Sequence, residues 1–411
     1  MSTVNNGPQI VRTGLVLDLD ASYMRSYSPN VMPNPTDIFA WCGTSALNSC
    51  TISRDTSMTR QYGSIPLKMT VTGTDSHIRT YDSSTWNLAP AANGQTWTVS
   101  VYAKASVAST FGQIFIFPTN ASGLVLSPFG ADTLALTNSW TRFSFTYTIT
   151  GAATTAFIQI RLDGSNTASE IIWWDLLQVE RASSATNFNP YYFGNTIWRD
   201  ISGGGCNGTL TNGPLFNTSN NGSIVFDGST QFSTFTPTPT ILQGNPNLTV
   251  IGFYKRTGNF SSKGFWGIGG SNAGGTRQGI CNWNSGNTNE ITIDSWSEST
   301  FTTGQTYPLN TWIGVAWRKI AGPTTRANCI ISIFDGTNIT HYTSTALTVL
   351  RAESATNLNI NSIGGITLGS ISVDTGYCSP VNIANHCIYN RLLSDAEILL
   401  NFQATKTRFG L

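Results

Sequence analysis

The chain has 411 residues, of which only 10% are Asp, Glu, Lys or Arg, against roughly 25% in an ordinary soluble domain. Its 22 basic and 21 acidic residues leave a net charge of +1, which gives no electrostatic footprint for nucleic acid or an anionic membrane. A hydrophobic fraction of 40%, with 21 Phe, 13 Tyr and 12 Trp, excludes a disordered chain, while 39 Gly, 16 Pro and abundant Thr, Ser and Asn exclude coiled coils and helical bundles.

What remains is an all-β protein, because Thr suits strands and Ser, Asn and Gly suit turns. Alternating or continuous apolar segments of strand length recur at 14–19, 95–103, 112–117, 140–149, 156–162, 171–179, 223–226, 248–254, 312–318 and 329–334. Between them, Asp163-Gly164, Asn207-Gly208, Asn212-Gly213, Asn221-Gly222, Asp227-Gly228 and Asp335-Gly336 each place a residue that tolerates positive φ beside glycine, so all six read as turns. Such spacing matches β-sandwiches or jelly rolls. One short helix is predicted near the C-terminus, where Ser394-Asp395-Ala396-Glu397 forms a capping box ahead of Ile398, Leu399, Leu400 and Phe402. Its length calls for packing on a sheet.

No segment approaches the roughly 20 consecutive apolar residues of a membrane span, and the opening residues lack the basic and apolar regions of a signal peptide. The expectation is a protein made and assembled in the cytoplasm, without membrane insertion. Seven cysteines form no CxxC pair. They read as reduced, buried thiols, with Cys42 and Cys50 the exception most open to bridging. His77, His341 and His386 lie far from any paired cysteines, so zinc is not expected.

The order of several blocks carries a resemblance. Gly14-Leu-Val-Leu-Asp-Leu-Asp20, Trp198-Arg-Asp-Ile-Ser-Gly203 and Ser223-Ile-Val-Phe-Asp-Gly228 at one end, with Trp312-Ile-Gly-Val-Ala316, Ile331-Ser-Ile-Phe-Asp-Gly336 and Ile388 to Ile398 at the other, resemble laminin G-like (concanavalin A-like) modules of tailed-phage structural proteins. Between the first two blocks, Asn34 to Trp41, Leu67-Lys-Met-Thr-Val71, Trp97 to Lys104, Trp140-Thr-Arg-Phe143 and Trp174 to Glu180 resemble a carbohydrate-binding-module-like jelly roll. The resemblance implies two β-sandwich domains, one inserted in the other: a discontinuous laminin G-like sandwich from residues 1–28 and 194–411, and a jelly roll at 29–193. An insert whose own termini lie close together adds little closure entropy to its host.

For catalysis, Glu290, Asp294 and Glu298 share one side of a strand. Four strand residues span roughly 13 Å, however, too far for a retaining pair at about 5 Å or an inverting pair at about 6.5–9.5 Å. These carboxylates are expected to be solvated, and no catalytic residue is assigned. Nor is a metal ligand or cofactor: Asp175 and the Asp18/Asp20 pair could donate to a structural calcium, but no dense acidic loop surrounds them. Sugar binding fits a neutral, aromatic-rich surface best. Trp266, Trp283 and Trp296, interleaved with Asn and Gly, form the first candidate site, and Trp86 a second.

The resemblance points to a non-enzymatic surface protein of a phage virion: a head decoration, head fibre or tail-associated adhesin on the outside of the particle. Its expected partners are other virion proteins, further copies of itself and host cell-surface carbohydrate. A cement protein without glycan binding and a polysaccharide depolymerase are the alternatives.

Overall fold

The computed structural model describes residues 9–411 except 24–25, 29, 33–34, 41–46, 59, 80–87, 108–110, 123, 152–156, 165–166, 191–195, 218, 237–245, 259–262, 270–276, 283–289, 296–300, 323–324, 346, 348–366 and 369–377. Strands in four antiparallel sheets dominate, and the α-helix Asp395–Lys406 lies near the C-terminus. The class is all-β sandwich, as composition requires. The chain forms two compact units, residues 1–27 with 196–411, and residues 28–195.

In the first unit two eight-stranded sheets enclose a core. One sheet has Pro380–Tyr389 near its centre, paired with Leu248–Arg256 on one side and with Ser223–Asp227 and Leu15–Asp20 on the other. Both of its faces are covered, which explains why these strands read as nearly continuous apolar runs. Leu17, Val250, Val315 and Ile383 face the other sheet, while Ile251, Phe253, Ala316 and Phe334 lie under Ile398 and Phe402 of the helix. That helix begins as its sequence dictates: the Ser394 hydroxyl accepts from the Glu397 amide, and the Glu397 carboxylate accepts from the Ser394 amide.

In the second unit, a five-stranded sheet runs in the order Thr141–Thr148, Thr96–Ala105, Ile171–Glu180, Leu67–Val71, Cys50–Arg54. The facing six-stranded sheet runs Leu47–Asn48, His77–Arg79, Phe157–Asp163, Phe111–Thr119, Gly130–Ala135, with Ala89–Pro90 also pairing on Phe157–Asp163. The space between is filled by Leu67, Met69, Trp97, Val99, Ile114, Ile160 and Trp174. Alternation decides each side chain's face. Ile172 and Trp174 enter the core, whereas the half-buried Trp173 stands on the outer face.

Two local expectations are corrected. Asn207-Gly208 is not a turn but the start of the strand Asn207–Thr211, where Gly208 is needed because a Cβ would collide with the Phe235 ring. Cys50 is a free, buried thiol that donates to the His77 carbonyl, as Cys206, Cys329, Cys378 and Cys387 are also free; Cys42 lies outside the described residues. At Asn212-Gly213 and Asn221-Gly222 both residues do take positive φ.

Candidate functional site

The six-stranded sheet of the second unit carries a concave, polar site on its outer face. Since Ile78, Ile114 and Leu162 pair across three strands into the core, their neighbours His77, Gln113 and Asp163, and Phe115 with Arg161, project the other way. Of these, Gln113, Phe115, Arg161 and Asp163, together with Thr74–Ser76 and Gly164, line a pocket of about 270 Å³. This lies just under the roughly 300–1,000 Å³ of drug-sized ligand pockets, which suits a ligand of about one sugar ring.

The centre of the site is Arg161. Its Nε donates to Asp163 Oδ1 at 2.5 Å, and its Nη2 donates to Asp163 Oδ2 and Asp75 Oδ1, both at 2.6 Å. Nη1 has no hydrogen-bond partner among the described residues. The guanidinium also lies over Phe115, 5.0 Å from its ring centroid. Burial pushes the Asp163 carboxyl up, against the pull of Arg161, whereas at the more exposed Asp75 burial is opposed by Arg161 and His77, which together hold the carboxyl below its usual range. Burial holds His77 below its ordinary value, helped by Arg161, so the ring is neutral at pH 7; its Nδ1 lies 3.0 Å from the Asp75 carbonyl oxygen. The result is a fixed plane of donors and acceptors beside a phenyl wall. Phe117 stacks on Phe115 with centroids 5.4 Å apart, and Phe129, 46% exposed, meets Phe117 edge-on at 4.8 Å, extending the wall away from the pocket.

Trp266, the one described tryptophan of those expected at a sugar site, forms no part of this one. Trp266 is 1% exposed and sits in the core of the first unit against Trp317 and His386, so neither face of its ring is open to a ligand. Its strand, Lys263–Gly269, lies inside an eight-stranded sheet, and a register shift between Gly264 and Trp266 breaks the alternation so that Phe265 and Trp266 both enter the core. Trp86, Trp283 and Trp296 lie outside the described residues. Sequence reasoning missed Phe115 and Arg161, yet a signal was present. In Gln113-Ile-Phe-Ile-Phe117 an aromatic alternates with isoleucine, so one of the two series had to face outward.

The acidic candidates are mostly engaged. Glu290 is not solvated but 3% exposed, and its carboxylate accepts from the Gly304 amide; Glu298 lies outside the described residues. Asp175 accepts from Ser64 Oγ and the Leu176 amide and pairs with Arg60 at 3.2 Å, in a bulge where Leu176 takes φ +52°. In the first unit, Asp18, Asp20 and Asp200 line a larger cleft of about 970 Å³. There Asp18 accepts from Arg12 and the Cys387 thiol, Asp20 from Ser22 and Arg408, and Asp200 from the Asp18, Ser202 and Cys206 amides. These carboxylates tie loops and chain ends to the sheet. Among the described residues there is no cluster of three or more His, Cys, Asp or Glu able to hold a metal, and no helix long and apolar enough to cross a membrane.

No family model matches the chain, and no curated protein matches it. Solved structures that it resembles are carbohydrate-binding modules and sandwich domains of glycoside hydrolases and sialidases. A family 4 carbohydrate-binding module is 21% identical over 34% of this chain and 81% of its own, with a TM-score of 0.24. Domain 4 of an extracellular arabinanase from Geobacillus stearothermophilus, solved with arabinotriose, is 13% identical over 50% of this chain and 91% of its own, with a TM-score of 0.36. A Trypanosoma rangeli sialidase, solved with an inhibitor, is 11% identical over 87% of this chain and 62% of its own, with a TM-score of 0.37.

Proposed function

We propose that the protein is a non-enzymatic carbohydrate-binding protein carried in many copies on the surface of a tailed-phage particle, where it holds host surface glycan. The observation that carries the binding reading is the Arg161 guanidinium fixed between Asp75 and Asp163 beside the Phe115 ring, in a pocket of about 270 Å³. A pyranose offers that geometry an apolar face for the phenyl wall and adjacent hydroxyls for the guanidinium and carboxylates. Charge-assisted hydrogen bonds of this kind are the stronger ones, and their bidentate geometry adds specificity. The phage setting is supported by the order of sequence blocks and by the low charge, which suits close packing on a coat protein. One shallow pocket binds weakly; copies on one particle raise the effective concentration of each further contact.

A glycan array followed by calorimetry on the best hit tests the site. Phe115→Ala should weaken binding about tenfold, which is about 1.4 kcal/mol, while leaving the melting profile of the unit in place. Unchanged affinity in that variant would remove the pocket from the reading. Release of reducing sugar from host envelope would replace the non-enzymatic part, and cryo-electron microscopy of a particle carrying the protein tests the surface placement.

A further inference from the structure

We propose that the outer face of the five-stranded sheet, opposite the Phe115 pocket in the same unit, is a second carbohydrate platform, and that it takes a polysaccharide bearing carboxylates. It goes beyond the single-sugar reading of the pocket, since it uses different residues and a different sugar chemistry.

The strand registers build the face. Tyr102 and Lys104 point away from the core because Val101 and Ala103 point into it, and Trp173 pairs with both Lys104 and Lys68 across its two neighbouring strands. Residues 55–66 connect the two strands at the edge of the sheet, and from this connection Arg60 reaches over the face to Tyr102 and Trp140. The outcome is an alternating row. Arg60 lies 5.1 Å from the Tyr102 ring centroid and 4.1 Å from that of Trp140; Lys104 Nζ lies 5.4 Å from Trp140 and 4.7 Å from Trp173; and the Trp173 indole donates to Asp55 at 2.8 Å. All three rings are half-buried.

The cations decide the ligand chemistry. Arg60 is committed to Asp175 beneath it. Lys104 makes no salt bridge among the described residues, so its charge is balanced only by the two indole faces. A neutral sugar would have to displace Lys104 to reach the ring faces it covers, whereas a sugar carboxylate engages it directly and leaves the sugar ring beside an indole. Lys68, across the strand from Trp173, lies on the same face with the Asp55 carboxylate near it, which leaves Lys104 as the cation for the ligand. Nucleic acid is disfavoured: the chain's net charge is only +1, so there is no wider field to gather a phosphate backbone.

Polygalacturonate and its methyl ester share a backbone and differ in charge, so they separate stacking from carboxylate recognition. The intact protein should bind the acid form at least about tenfold more tightly than the ester, with the preference shrinking as salt screens it. Lys104→Gln should remove most of that preference, Lys104→Arg should restore it, and Phe115→Ala should leave it unchanged, with thermal melts confirming that each variant is folded. No binding of the acid form, equal binding of acid and ester, retention of the preference in Lys104→Gln, or tighter binding of oligo(dT) than of polygalacturonate would each overturn the proposal. Loss of acid binding in Phe115→Ala would overturn it as well, by moving the anion to the pocket. Failure of the Phe115 pocket on the glycan array leaves these measurements intact, so the two readings fail separately.

Discussion

Buried carboxylates show how much one residue's surroundings matter. Asp18 is 2% exposed, and burial pushes its carboxyl up to about 6 despite the Arg12 guanidinium beside it. The folded protein therefore holds this proton more tightly than the unfolded chain does, so the contribution to stability is full below about pH 4 and is lost as pH rises through 6. Asp18→Asn abolishes that dependence. Relative to the parent, the variant should gain up to about 3 kcal/mol between pH 4 and pH 7, read from urea midpoints at several pH values; a constant difference would show that Asp18 is not the titrating group. Glu397 behaves oppositely. Its bonds from Arg391 and the Ser394 amide hold it down to about 2, so its contribution is present above its ordinary value near 4.5 and lost on strong acidification. His386, fully buried with Nδ1 2.8 Å from Tyr254 Oη, is pushed down to about 3 by burial and stays neutral throughout.

At the scale of elements, the helix Asp395–Lys406 and the strand Trp312–Lys319 form one fitted contact. Phe402 rests where Gly314 has no side chain, and a Cβ added there would lie 2.6 Å from the ring. Gly314→Ala should cost about 1–3 kcal/mol through overpacking, and pairing it with Phe402→Leu should recover part of that loss. Denaturant unfolding of both variants measures the coupling, and additive losses would mean that the two residues do not oppose each other. The capping box is a separate device within the same helix. Ser394→Ala should cost about 1 kcal/mol, measured as a shift in the unfolding midpoint at neutral pH.

Across the whole molecule, the apolar side chains collect into cores that respect the division into two units. One cluster fills residues 31–179, and the other two draw only on the remaining unit. Each unit thus has a core of its own, so heat capacity measurements should resolve two transitions. Ile160→Ala and Ile383→Ala, each expected to cost about 2–5 kcal/mol, should each lower a different transition. A single transition that both variants move equally would show that the units unfold as one.

Much of this was legible in the residues themselves, for reasons that are local. Period-two alternation placed the strands, the Ser394–Glu397 pairing placed the helix start, and scarce charge with abundant Thr, Asn and Gly set the all-β class, because each depends on neighbours within a few positions. The site was not local. Trp266 has the aromatic character of a sugar platform, yet its strand lies inside a sheet facing a second sheet, and burial claimed it. Asn207-Gly208 has turn chemistry, but Phe235 from another strand needed the space over Gly208. In Trp173-Trp174 the sequence required one ring on each face and could not say which face was the core. Only the packing of sheet on sheet decided that, since it sets which side of every strand meets water, and so which of many similar aromatics, among them Phe115, Trp140 and Trp173, stay partly exposed.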